Sequence, residues 1–171
     1  MIGIGLSPGS APPVVAASGG EENPNLLLWT EELDNAVWSQ TSVVLLADAG
    51  ASPLGGINAE LLAFQSSAGA VRQISASAAS SGAAVTNGIF DVATEWTRYE
   101  VTGSFDATDY VFSVYLKQSE AGIAQRIRLD RSGGFLRCSV EDLGDVGAVY
   151  AWGAQLELGT TATAYQRRGG T

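Results

Sequence analysis

The chain has 171 residues, 46% of them hydrophobic, and a formal net charge of -9. This length accommodates one domain with its own core plus an arm, and it argues against two full domains. No Lys or Arg precedes Arg72, and the later arginines are interleaved with acidic residues, so no continuous positive stripe for nucleic acid is expected. The apolar residues form no run long enough to cross a bilayer, so no membrane insertion is expected.

Residues 1–24 hold four of the five prolines, and their apolar residues follow no periodic pattern. This composition predicts an extended arm rather than a core element. A secretory signal requires basic residues before its apolar stretch, and this segment has none, so no signal peptide is expected. The run GLSPG, residues 5–9, matches the nucleophile-elbow pattern of hydrolases, but the match lacks a preceding strand, a following helix and any histidine partner.

From Asn25 onward, short apolar or alternating runs recur about every ten residues, with clusters of Gly, Ser, Asn and Asp between them. This spacing is typical of an all-β protein, an antiparallel sandwich or barrel. The stretch EELDNAVW, residues 31–38, differs, because Leu33 and Val37 are four apart and acidic residues fill the first turn. It predicts at most one short helix.

The run YVFSVYLK, residues 110–117, predicts a strand with two different faces, since side chains alternate across a pleated strand. The face expected in the core consists of Tyr110, Phe112, Val114 and Leu116. The other face presents Tyr115 and Lys117 to a partly wet surface.

The run VYAWGAQLEL, residues 149–158, is either a core strand or a sugar-binding surface, because an aromatic ring can also stack on a sugar. Alternation favours the core, since it creates one apolar row of Tyr150, Trp152, Ala154, Leu156 and Leu158. The opposite, wetter face then takes Gln155 and Glu157. We therefore expect Trp152 to be a buried core aromatic that packs against Phe112 or Val114. Gly153 indicates a bulge or a close backbone approach.

The chain has few candidate catalytic residues. It contains no histidine and therefore has no Ser-His-acid triad or Cys-His dyad of its own. Two acidic pairs in predicted turns are expected to cap backbone donors, with calcium binding as the alternative: Asp106 with Asp109, and Asp142 with Asp145. The single Cys138, in the alternating run FLRCSV, is expected to be a small buried side chain. We expect no catalytic residue, no metal site and no cofactor.

Two segments resemble the opening and closing motifs of a jelly-roll domain common in bacteriophage virion proteins: NLLLWTEELDNAVWSQ, residues 25–40, and YAWGAQLELGTTATAY, residues 150–165. Between them, YVFSVYLK is similar to the central strand of that family. GGFLRCSV, residues 133–140, is similar to its Trp-Tyr-Arg-Cys strand, with Phe135 in place of the Trp. The resemblance covers about residues 25–166. It implies a jelly roll similar to carbohydrate-binding modules, located in the tail fibres, tail tips or head decorations of a phage particle.

The sequence and this resemblance together predict a structural protein of a phage particle. Residues 1–24 would anchor it to other virion proteins, and residues 25–171 would form a jelly-roll β-sandwich on the virion surface, in a homo-oligomer. The alternative is an adhesin module that binds host-surface glycans through Tyr115, Lys117 and Arg128, which are predicted on the non-core faces of neighbouring strands. A glycan-degrading enzyme is the third hypothesis, and no paired-acid motif supports it.

Overall fold

The structure is a computed structural model that describes residues 24–82, 85–119, 124–143 and 147–169. The predicted arm lies outside these ranges except for Pro24. The described residues form no helix and ten strands: β1 Ser39–Thr41, β2 Val43–Ala51, β3 Ile57–Phe64, β4 Ala70–Ala78, β5 Val85–Asp91, β6 Thr97–Phe105, β7 Thr108–Gln118, β8 Ala124–Ser132, β9 Phe135–Asp142 and β10 Ala148–Leu158.

The strands form two antiparallel sheets of five strands each. The first sheet has the order β1-β4-β9-β8-β5, and the second sheet has the order β2-β3-β10-β7-β6. The pairing is nested, since β3 pairs with β10, β4 with β9, β5 with β8 and β6 with β7. A ribbon of paired strands wound on itself in this way is a jelly roll, so the predicted antiparallel jelly-roll β-sandwich is confirmed.

The core of the sandwich follows the two-residue period of its strands. The predicted inner face of β7 lies in this core, with Phe112, Val114 and Leu116 fully buried and Tyr110 partly buried beside them. Cys138 on β9 is buried in the same cluster, as expected. Its burial raises the pKa of the thiol well above the usual range.

No helix forms within residues 31–38, where at most one short helix was expected, and the segment makes successive turns. The backbone amides that bond three residues back are those of Glu32, Asn35 and Trp38. The side-chain oxygen of Asn35 accepts from Val37 N at 3.1 Å, an alternative to helical backbone bonding. The two core residues of the segment, Leu33 and Trp38, are five positions apart, a spacing that does not place them on one helical face.

A β-bulge at Gly153 divides β10 into two halves with different alternation. The core takes Val149 and Ala151 before the bulge and Ala154 and Leu156 after it. The register with β7 shifts between Trp152 and Gln155. Gly153 has a φ of 69°, and a Cβ there would lie 3.1 Å from Cδ1 of Tyr115, so both conformation and space favour glycine. The bulge prediction is confirmed, but the single apolar row is wrong.

Candidate functional site

Trp152 lies on the outer face of the second sheet, beside residues of β7 that do not face the core. Its ring centroid is 5.6 Å from that of Tyr115 and 4.6 Å from that of Tyr165. These three rings form a buried cluster separate from the sandwich core. The expected contact with Phe112 or Val114 is therefore wrong, because residues 149–152 precede the bulge and Trp152 has the opposite orientation to Ala154.

A network of hydrogen bonds joins the two segments that carry the family resemblance, and we call it the terminal clasp. Its members are Asn25, Thr30, Glu31, Gln155, Glu157 and Tyr165, all of them buried. Asn25 Nδ2 donates to Ala154 O at 3.0 Å and to Gln166 O at 2.9 Å. Its Oδ1 accepts from the backbone amides of Leu27 and Leu156, both at 3.1 Å. One side chain thus satisfies backbone groups of three chain segments.

Gln155 and Glu157 lie on the outer face of β10, as predicted. Neither is exposed to solvent, since both are fully buried. Gln155 Oε1 accepts from Gln166 N at 2.7 Å, and its Nε2 donates to Glu157 Oε2 at 2.7 Å. The Glu157 carboxylate also accepts from Oγ1 of Thr163 at 2.6 Å. The chain that follows β10 therefore covers this face and satisfies its polar groups.

Tyr165 completes the terminal clasp from the C-terminal side. Its hydroxyl donates to Glu31 Oε2 at 3.0 Å and lies 2.7 Å from Thr30 Oγ1. Burial, with the nearby negative charge of Glu31, raises the pKa of this hydroxyl. Arg167 Nε lies 3.3 Å from Glu31 Oε1, so the carboxylate is paired as well as hydrogen bonded. These motif residues hold the two ends of the domain together through buried hydrogen bonds.

The three residues predicted to bind glycan do not lie together. Tyr115 is only 1% exposed, and burial raises the pKa of its hydroxyl. Lys117, on the same sheet, lines a cavity of about 170 Å³ beside Tyr150. Arg128 is on β8 in the first sheet, while β7 belongs to the second. The structure therefore does not bring the three residues together, because β7 and β8 are neighbours in sequence but not in a sheet.

Arg128 instead belongs to a cluster on the outer face of the first sheet, which we call the arginine face. Its basic members are Arg72 on β4, Arg126 and Arg128 on β8, and Arg137 on β9. Two buried carboxylates, of Asp130 and Glu141, lie among them. Four guanidinium groups and two carboxylates leave this cluster at +2 in a chain whose net charge is -9.

The two carboxylates of the arginine face are paired very differently. Asp130 forms a bidentate pair with Arg137 at 2.9 and 2.7 Å, which raises the pKa of Arg137. Glu141 is shared by three looser partners, at 3.6 Å for Arg72, 3.4 Å for Arg126 and 3.6 Å for Arg128. These lengths exceed those of well-formed N–H···O bonds. Arg128 Nε also lies 3.3 Å from Asp130 Oδ2. The three guanidinium groups that share Glu141 have further N–H groups, which can donate to a ligand.

The alternating run QRIRLD could have indicated part of the arginine face, since residues two apart share one face of a strand. The interleaving of basic and acidic residues concealed the rest. Arg72 and Arg137 join the cluster only because β9 pairs with both β4 and β8.

A second polar feature, which the sequence analysis missed, is a cavity of about 180 Å³ lined by carboxyl groups. They belong to Glu31, Glu32, Asp34, Asp48 and Glu60. Glu60 is 1% exposed, and its Oε1 has no hydrogen-bond partner. Burial, followed by the charges of Asp34, Asp48 and Glu32, raises the pKa of Glu60 to about 8.

Glu60→Gln is expected to stabilise the protein at alkaline pH and to change little near pH 5. The ordinary pKa is 4.5 and the folded value about 8, so folded Glu60 holds its proton where the unfolded chain has lost it. Its contribution to stability is fully present below the unfolded pKa and is lost as pH rises through the folded pKa. Within that window the loss approaches about 1.4 kcal/mol for each pH unit.

Thermal unfolding from pH 5 to pH 9 measures this effect. The exposed Glu95→Gln removes the same charge and is the matched control. Equal pH dependence of the Glu60→Gln variant and the parent protein would contradict a protonated, buried Glu60.

Acidic residues within the described ranges show no arrangement of three or more potential side-chain ligands that could hold a metal ion. Asp106 caps a turn, as expected, by accepting from the amides and hydroxyls of Ser80 and Ser81. These bonds, led by that of the Ser81 hydroxyl, lower the pKa of Asp106 to about 2. Asp145 lies outside the described residues.

In the part of the chain that the structure describes, no helix is long and apolar enough to span a membrane.

Comparison of the sequence with protein-family models and with curated proteins finds no match.

Proposed function

We propose that the protein is a structural component of a bacteriophage particle and displays a carbohydrate-binding-like β-sandwich on the virion surface, as a head decoration or a tail fibre. The terminal clasp supports this proposal, because it joins residues of both resemblance motifs in one buried network. Unrelated motifs that match by chance are not expected to meet in space. The convergence of residues 25–31 with residues 154–166 gives the shared motifs a common structural role.

In this proposal, residues 1–24 anchor the protein to other virion proteins, and the β-sandwich is presented in a homo-oligomer. Residues 1–20 contain no charged side chain and are rich in Gly, Pro and apolar residues. A segment of this kind can bind along an apolar groove or a sheet edge of a partner without the cost of burying charge.

Deletion of residues 1–22 is expected to leave a folded domain that no longer joins particles. Circular dichroism and thermal unfolding measure the fold, and mass spectrometry of purified particles measures occupancy. A variant of unchanged length, with Ile2, Ile4 and Leu6 replaced by Ser, separates the loss of apolar contacts from the loss of length. Full occupancy by the truncated protein would refute the anchoring role.

The second candidate is a host-glycan-binding module, and the arginine face is the observation that favours it. Four arginines with side chains 26–33% exposed occupy one face of a sheet. Of the residues predicted to bind glycan, this hypothesis keeps Arg128 and drops the buried Tyr115. A shallow site of this kind gains useful strength when many copies act together on one surface.

A further inference from the structure

We propose that the arginine face binds an acidic polysaccharide whose sugars carry carboxylate groups. The proposal rests on the glycan-binding function suggested above and specifies the class of glycan. Its basis is the combination of surplus donors, repeated spacing and adjacent aliphatic side chains on one sheet face.

The arginine face has more hydrogen-bond donors than acceptors. Each guanidinium carries five N–H donors, and three of these groups share Glu141. The buried Nε atoms of Arg72 and Arg126 have no hydrogen-bond partner, whereas that of Arg128 lies 3.3 Å from Asp130 Oδ2. Ser139 lies opposite both Arg72 and Arg128 in the sheet, and its buried Oγ is also without a partner. These buried atoms do not face solvent, but the three arginine side chains are 26–33% exposed, so their other N–H groups can meet the oxygen atoms of an anionic ligand.

The positions of the arginines suit a ligand with several anionic groups. Arg126 and Arg128 are two residues apart on β8, which separates their Cα atoms by about 6.8 Å. Arg72 and Arg128 lie on either side of β9, about 9.6 Å apart. A small anion meets one or two guanidinium groups at these separations. A polymer with repeated anionic groups reaches all three.

Aliphatic side chains beside the arginines favour a sugar polymer. Ile89 lies opposite Arg126 and Ile74 opposite Arg137, and both isoleucines are more than half exposed. They provide apolar surface for the faces of sugar rings, while the arginines bind the acidic groups. The other charged side chain on this face within the described strands is Asp91, at the edge opposite Ala124.

Nucleic acid fits this surface less well. Single-stranded nucleic acid is bound on platforms of several stacked aromatic side chains, whereas the exposed apolar side chains of this face include one aromatic ring, that of Phe135. Duplex DNA carries one charge for each 1.7 Å or so of its axis, and the net charge of -9 opposes so dense a polyanion.

Isothermal titration of the full chain tests the proposal with four polymers: polygalacturonate for carboxylates, dextran sulfate for sulfates, a duplex DNA fragment for phosphates and unsubstituted dextran as the neutral control. We expect polygalacturonate to bind, more weakly at about 200 mM than at about 50 mM salt. Dextran should not bind. Absence of polygalacturonate binding, equal binding of dextran, or tighter binding of dextran sulfate or of a duplex DNA fragment would each overturn the assignment.

Arg126→Gln should weaken polygalacturonate binding about tenfold, because it removes one charge-assisted contact. Arg131→Gln is the matched control, since Arg131 is exposed on the same strand, donates to Ser80 O and lies outside the arginine face. Arg126→Lys keeps the charge without the planar fork and should lose less affinity than Arg126→Gln. Thermal unfolding shows whether each variant is folded.

An equal loss of binding in Arg131→Gln would mean that net charge, not the arginine face, decides affinity, and it would overturn the proposal. Incorporation of Arg126→Gln into particles should remain at the parent level. Failure of this binding test and failure of the anchoring test are therefore separate results.

Discussion

Trp152→Ala is expected to lower the free energy of unfolding by about 3–5 kcal/mol, the usual range for truncation of a buried large aromatic. The Trp152 side chain is fully buried between the rings of Tyr115 and Tyr165. The void cannot close easily, because the hydroxyl of Tyr165 is fixed by Thr30 and Glu31. Since small domains are stable by about 5–15 kcal/mol, such a loss threatens the whole fold.

Urea unfolding followed by circular dichroism measures this prediction. Leu158→Ala is the control, since Leu158 is on the same strand but 42% exposed, and it should cost much less. A Trp152→Ala protein as stable as the control variant would show that the aromatic cluster does not support the fold. That result would return Trp152 to consideration as a ligand-stacking residue.

The inner face of β7 could be predicted because the strand has no bulge in the segment concerned. Alternation assigns Phe112, Val114 and Leu116 to one side, and the hydrophobic effect determines which side is buried. Alternation failed in β10, because the bulge at Gly153 adds one residue to the strand. Side chains after the bulge therefore have the opposite orientation to the one that alternation from residues 149–152 predicts. The glycine signalled the bulge, but not the direction in which Trp152 would point.

Tyr115 shows a second limit of alternation. The sequence assigned it correctly to the non-core face of β7, opposite Trp152 in the sheet. Its burial depends on coverage by the segment that carries Tyr165, fifty residues later in the chain. Alternation indicates a face, whereas coverage of that face is a tertiary property.

The arginine face contains residues that alternation predicts and residues that only strand pairing brings together. The pair Arg126 and Arg128 follows from alternation alone, and its acidic partner Glu141 follows from pairing with β9. Arg72 comes from β4, on the far side of β9, through a pairing that the sequence pattern does not specify. Such a site is visible only when the sheet order is known.

Asn25→Asp is expected to destabilise the protein by about 3–5 kcal/mol at pH 7, because it nearly preserves shape but replaces a donor with a buried charge. The amide nitrogen of Asn25 donates to the carbonyl oxygens of Ala154 and Gln166. A carboxylate oxygen in that position would face both carbonyls and repel them. The acceptor half of the side chain, which serves Leu27 N and Leu156 N, would remain.

The loss in Asn25→Asp should depend on pH. Burial and the two carbonyl oxygens would raise the pKa of the new carboxyl above about 3.9, its unfolded value. Stability is then greatest below that unfolded value and falls as pH rises through the folded pKa. At acidic pH the neutral carboxyl can donate one hydrogen bond, so the difference from the parent protein should shrink.

Urea unfolding at pH 4 and pH 7 measures both effects. Asn35→Asp is the matched control, because the Asn35 side-chain oxygen accepts from Val37 N in an exposed turn, and the same change there should cost little. If Asn25→Asp is no more destabilising than Asn35→Asp at pH 7, the terminal clasp does not hold the domain together. The motifs at residues 25–40 and 150–165 would then need another explanation, and the proposal of a virion protein would lose the argument made from the terminal clasp.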